Sequence, residues 1–126
     1  MDSPSDDFRK RRYDLARRTI LNSVCDDYES YEYILDQLDK FSVEFRVFFT
    51  QDEVLCALRD LLAEELIAAY VLTPDSAPSR FTAPSSGLSA HYYWITPSGM
   101  VLHQTPFEDW PFDQEGNPRV DWTCPV

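Results

Sequence analysis

A mainly helical α+β fold is what this sequence predicts: a three-helix core, a two-stranded hairpin, a short C-terminal helix and an extended tail. Three observations carry that expectation. Thr50 and Glu53 stand just before an apolar run, at the spacing in which each side chain satisfies the other's backbone donor at a helix start. Val54, Leu55, Ala57, Leu58, Leu61, Leu62 and Leu66 then recur at helical steps and lead into a short apolar stretch that ends at Thr73-Pro74. Further on, YYWITPSGMVLHQ from Tyr92 to Gln104 reads as a strand that hands over to a helix at Thr96-Pro97, a capping residue followed by proline in the first turn.

The other elements follow in order. Ser3, Pro4, Asp6 and Asp7 suit a helix start, because proline is tolerated there and carboxylates complement the helix dipole. Phe8, Tyr13, Ala16, Ile20, Leu21 and Val24 recur at three- and four-residue steps, so the first helix is expected from Ser5 to Val24. A second begins after Asp26-Asp27 and buries Tyr31, Ile34, Leu35, Leu38 and Phe41, with Glu29, Glu32, Asp36 and Asp39 toward water. From Phe41 to Phe49 apolar residues alternate, and that period of two argues for an extended segment, either a short strand or a longer connection. The third helix is expected to end near Glu65, and Ile67 to Thr73 to form the first hairpin strand. Pro74 to Ala90 is rich in proline and serine and reads as a long flexible loop, with His91 to Ile95 as the return strand. Residues 1–104 thus form one domain. Residues 105–126 form an acidic, aromatic tail with four prolines, in which Phe107, Trp110, Phe112 and Trp122 are too apolar to leave in water and are expected to pack on the domain or on a partner.

Composition bounds the function. At 44% hydrophobic and 14% aromatic residues the chain has the makings of a core. A formal net charge of -11 opposes non-specific attraction to nucleic acid or to an anionic membrane surface, since phosphate contacts need lysine and arginine to displace counterions. Cys25, Cys56 and Cys124 form no CxxC pair and are odd in number, which points to reduced thiols. With neither a signal-peptide core nor a stretch of ~20 apolar residues, the protein is expected to be soluble and cytoplasmic.

The stretches FTQDEVLCALRDLLAEELIAAYVL and YYWITPSGMVL resemble the recognition helix with its following strand, and the return strand with its threonine-proline-glycine exit, of bacterial winged-helix regulators of the MarR and PadR kind. The resemblance runs from Tyr13 to Gln104 and implies a winged helix-turn-helix fold, a scaffold that serves both DNA reading and protein interaction. Transferred onto this chain, the DNA-reading face of the third helix centres on Asp52, Cys56, Arg59 and Ala63, flanked by Gln51, Glu53 and Asp60. Arg59 is the one base among them, whereas direct readout relies on arginine, lysine, asparagine or glutamine near the helix start. The wing adds Arg80. Arg9, Lys10, Arg11, Arg12, Arg17 and Arg18 cluster on the first helix, where they suit either a phosphate backbone or a solvated face paired with the acids of the second helix or of another subunit.

No pattern of catalytic residues emerges. Gly87, Gly99 and Gly116 cannot build a phosphate-binding loop. His91 and His103 are the only imidazoles and lack specific metal-ligand spacing. Cys56 with Arg59 nearby suits a redox-sensing thiol or a passive surface cysteine. Asp6-Asp7 and Asp26-Asp27 are sequence neighbours whose side chains do not converge, so they read as caps. The expectation is therefore a non-enzymatic regulatory module without cofactor or metal, acting mainly through protein contacts with a partner or in a homodimer. The alternative is a DNA-binding transcriptional regulator using Arg9, Lys10, Arg11, Arg12, Gln51, Arg59 and Arg80.

Overall fold

The computed structural model describes residues 4–73, 76–81, 87–113 and 115–122. Helix α1 spans Pro4–Ser23, strand β1 Glu29–Ser30, helix α2 Tyr31–Phe45 and helix α3 Gln51–Ala63. Strands β2 (Ile67–Thr73) and β3 (Ser76–Phe81), a 3-10 turn (Leu88–Ala90), strand β4 (Tyr92–Ile95) and helix α4 (Pro97–Gln104) complete the domain.

Local chemistry sets most boundaries. The Ser30 hydroxyl accepts from the Tyr33 N–H at 3.1 Å and starts α2. At α3 both halves of the capping box form: Thr50 Oγ1 accepts from the Glu53 N–H at 3.1 Å, and Glu53 Oε1 accepts from the Thr50 N–H at 2.8 Å. The same helix ends in a Schellman motif, with the Leu66 N–H bonded to the Leu61 carbonyl and the Glu65 N–H to the Leu62 carbonyl. Glu65 holds the left-handed position at φ 57°, where a side chain is unfavourable and glycine is not. Glu65→Gly is therefore expected to raise stability by about 0.5–1 kcal/mol, measured as a higher urea midpoint at unchanged slope.

The four strands form one antiparallel sheet in the order β1-β4-β2-β3. β2 is central, pairing Ile67 with Ile95 and Tyr70 with Tyr92 on one side and Tyr70 with Arg80 on the other. Three helices and this sheet, with β1 running into α2 and the hairpin following α3, make a winged helix with an added wing strand. The segment read as a flexible loop thus contains β3 and the 3-10 turn, while residues 74–75 and 82–86 lie outside the described residues. Hydrogen bonding to the free side of β2 overrides weak strand propensity here, and Pro78 is acceptable because β3 is an edge strand.

The main core gathers Ala16, Ile20 and Leu21 of α1 with Val24 just beyond it, Ile34 and Leu38 of α2, five residues of α3, and Ile67, Ala69, Leu88 and Tyr93. The buried hydroxyls of Thr19, Ser23 and Ser42 each donate to the carbonyl four residues earlier at 2.8 Å, so none is unsatisfied. A second cluster forms on the other flank of α1 around Leu15, Phe41 and Val47. It corrects the reading of Phe41 to Phe49 as extended. Phe41 to Phe45 complete α2, which stops at Arg46 in the left-handed conformation (φ 58°), and residues 46–50 connect to α3. Phe41 and Phe45 are four apart as well as part of an alternating run, and the helical choice puts both rings, 4.9 Å between centroids, into this cluster.

Candidate functional site

The outward face of α3 is less acidic than its sequence. Gln51, Asp52, Cys56, Arg59 and Ala63 are exposed, as expected, but the acids Glu53, Asp60 and Glu64 turn toward α1. Both Glu53 oxygens accept from Arg12 at 2.8 Å. Asp60 accepts from the Tyr13 hydroxyl, and Glu64 from Arg17, whose guanidinium also donates to the Tyr13 oxygen at 3.1 Å. Those three acids share one stripe of α3, and Tyr13 and Arg17 one stripe of α1. That complementarity of stripes was readable in the sequence and is the signal missed there.

Four of the six cations of α1 consequently act inside the fold. Arg12 ties α1 to α3 and to the connection before it: its side chain is 12% exposed, it donates to the Phe48 carbonyl and it lies 5.7 Å from the centroid of the Phe49 ring. Arg11 makes a forked pair with Asp109 of the tail, 2.8 Å at its shortest. Arg18 donates to the Thr105 carbonyl at 2.9 Å and sits 5.0 Å from the Phe107 ring centroid. Lys10 pairs with Asp14 at 2.8 Å. Arg9 on α1 and Arg80 on β3 are exposed, as is Arg59. Among the described residues, no side-chain hydrogen bond joins Arg9, Arg59 and Arg80 to one another.

Arg12 first, and the capping bonds with Thr50 after it, hold the Glu53 carboxyl below the ordinary carboxylate range, against the opposing effect of burial. A lowered folded pKa means that the stabilisation is fully present above the unfolded value of about 4.3 and is lost as pH falls through the folded value. Glu53→Gln should lower stability by about 1–2 kcal/mol near neutrality. Urea melts of the two proteins should converge as pH is lowered from about 7 to about 3, with the wild type losing the difference.

The four tail aromatics are placed together. Phe107, Trp110, Phe112 and Trp122 pack on Leu15, Phe41 and Val47. Trp110 stacks on Phe41 with centroids 5.9 Å apart, and Phe45 meets Phe112 and Trp122 edge-on at 5.1 and 5.5 Å. The tail is also braced internally. Trp122 Nε1 donates to the Asp109 carbonyl at 2.7 Å, Arg119 donates to the carbonyls of Glu108 and Trp110, and Phe112 bridges to Pro118.

The remaining candidates stay apart. His91 is hydrogen-bonded to the Gly87 carbonyl and His103 to Asn22. Burial holds His103 below its ordinary pKa, with Arg18 adding to the effect. Cys56 faces the Asp60 carboxylate at 3.9 Å, an arrangement unlike the cationic surroundings of a reactive thiol. Cys124 and the Phe8 side chain lie outside the described residues. Among the described residues no three histidine, cysteine or acidic side chains converge as metal ligands, and no helix is long and apolar enough to cross a membrane.

No family model matches this chain, and no curated protein does. A solved structure described as a "PadR-like Transcription factor from bacteroid fragilis" is similar to it at 17% identity and a TM-score of 0.48, over 75% of this chain and 78% of that one.

Proposed function

We propose that this protein is a non-enzymatic winged-helix module of regulatory type whose contacts are made with protein. The observation that carries this reading is the internal engagement of the α1 cations. Arg11, Arg12 and Arg17 each hold a carboxylate, and Arg18 holds a backbone carbonyl, so the cluster that would neutralise phosphates already fastens α1 to α3 and to the tail. Freeing them for DNA would break those links, and a chain of net charge -11 has few other cations to offer. The tail rings are half-buried against the domain, which supports looking for the partner surface on another face.

Fluorescence anisotropy with mixed duplex fragments at low and moderate salt tests the reading. The expected result is no saturable binding. Tight binding that falls steeply with salt would replace it with DNA recognition.

One observation favours that second reading. With Glu53, Asp60 and Glu64 turned inward, the outward face of α3 opposes one acid, Asp52, to one base, Arg59, next to Gln51. Were α3 to read DNA, Arg59→Ala and Gln51→Ala would weaken binding and alter its sequence preference.

A further inference from the structure

We infer that the groove between α2 and the start of α3 is the docking site for a basic, amphipathic segment of a partner protein. The inference rests on the protein-contact reading and names its surface and the chemistry of its occupant. Tyr31, Leu35, Asp39, Phe48, Gln51 and Val54 are among the residues that line a cavity of about 320 Å³, at the lower end of the ~300–1,000 Å³ of ligand-binding clefts.

The groove is apolar where water would reach it. Of its lining residues Phe48 is 65% exposed and Leu35 39%. Phe48 is not a loosely hanging ring. Its flanking residues Val47 and Phe49 pack into the second cluster, its carbonyl is held by Arg12, and the α3 capping box begins two residues later. The fold therefore presents an apolar ring from a fixed backbone, which lowers the ordering cost on binding.

Charge selects the occupant. Asp39 lines the groove, Glu32 and Asp36 are exposed on α2 beside it, with Asp36 paired to Lys40 at 3.3 Å, and Asp52 is exposed at the start of α3 next to Gln51; Arg46 follows beyond the helix. An apolar floor with an acidic rim fits a helix whose bulky anchors enter the groove while lysines or arginines lie along its edges. A second copy of this chain fits poorly, because two-fold pairing would set these acids against themselves. Its own basic helix is engaged in the ion pairs described above. Duplex DNA meets the same acidic rim.

The test is an array of labelled helical peptides of about 18 residues, with leucine, phenylalanine or tryptophan anchors at i, i+3, i+4 and i+7 on a lysine, arginine or glutamate background. Binding to the full chain is read by anisotropy at physiological salt. Basic peptides should bind and acidic ones should not. Phe48→Ser and Leu35→Ser should each weaken the best binder about tenfold or more, with circular dichroism unchanged because both side chains are exposed. Asp36→Asn with Asp39→Asn should weaken it less and reduce its salt dependence.

Absence of binding across the basic peptides overturns the inference. So does binding that Phe48→Ser leaves intact, since net charge alone would then explain it, and so does a wild-type dimer that Phe48→Ser dissociates, which would make a second copy the occupant. The duplex titration separates the two levels: peptides and DNA both failing removes this groove alone, whereas DNA binding without peptide binding removes the protein-contact reading itself.

Discussion

Removal of residues 107–126 is expected to leave a chain that no longer folds cooperatively. A tail that packed on a partner would leave the fold intact when removed, whereas one that packs on the domain would not. The second case is favoured here, because Phe107, Trp110, Phe112 and Trp122 cover Leu15, Phe41 and Val47. Burying an aromatic or large aliphatic side chain contributes about 1.5–3 kcal/mol, and the tail rings are half-buried, so four of them contribute on the order of 3–6 kcal/mol. Domain stabilities are about 5–15 kcal/mol, so the loss is a large share of the whole. The truncation also strands Arg11, whose carboxylate partner Asp109 is removed. Thermal melts followed by near-ultraviolet circular dichroism decide the matter. A sharp transition within a few degrees of the full chain would show that the second cluster is dispensable. Trp110→Ala is the milder version, expected to lower stability by about 2–3 kcal/mol with the fold retained.

Gly99→Ala should be nearly as damaging, although it adds one methyl group. A Cβ at position 99 would stand 1.9 Å from the Leu66 carbonyl oxygen and 2.7 Å from Ile95 Cγ1. The carbonyl cannot swing aside cheaply, since it accepts from the Thr96 N–H at 3.1 Å and follows the left-handed Glu65 turn. Thr96 locks the same corner twice: its hydroxyl accepts from the Gly99 N–H at 3.0 Å and donates to the Glu65 carbonyl at 2.6 Å. The methyl group must therefore push α4 off the end of α3. A cost of about 3 kcal/mol or more is expected, at the upper end of overpacking effects, seen as a melting temperature lower by about 10 °C. Ser98→Ala, one residue earlier and exposed, is the control that should leave stability within about 0.5 kcal/mol.

Threonine, proline and glycine in the stretch before α4 thus acquire separate reasons. Thr96 caps and clamps, Pro97 starts the helix, and Gly99 lets it approach the Leu66 carbonyl. The first two could be inferred from the sequence because capping acts over three or four residues. The third could not, since the atom that forbids a side chain belongs to a segment more than thirty residues away.

The same division runs through the molecule. The sequence by itself determined the helices, the Thr50–Glu53 capping box, the two main strands of the wing and the exposed stripe of α3. Each depends on residues close in the chain, whose periodicity and hydrogen-bonding groups act before any tertiary contact forms. Tertiary structure alone decided where α2 ends, because the Phe41 to Phe49 pattern satisfies both a helix and an extended chain until Trp110, Phe112 and Trp122 arrive to cover Phe41 and Phe45. It also decided what the basic cluster does. A run of arginines on a helix carries the same charge whether it meets phosphate or carboxylate, and only the packing of α1 against α3 and the tail brings Glu53, Glu64 and Asp109 within hydrogen-bonding reach.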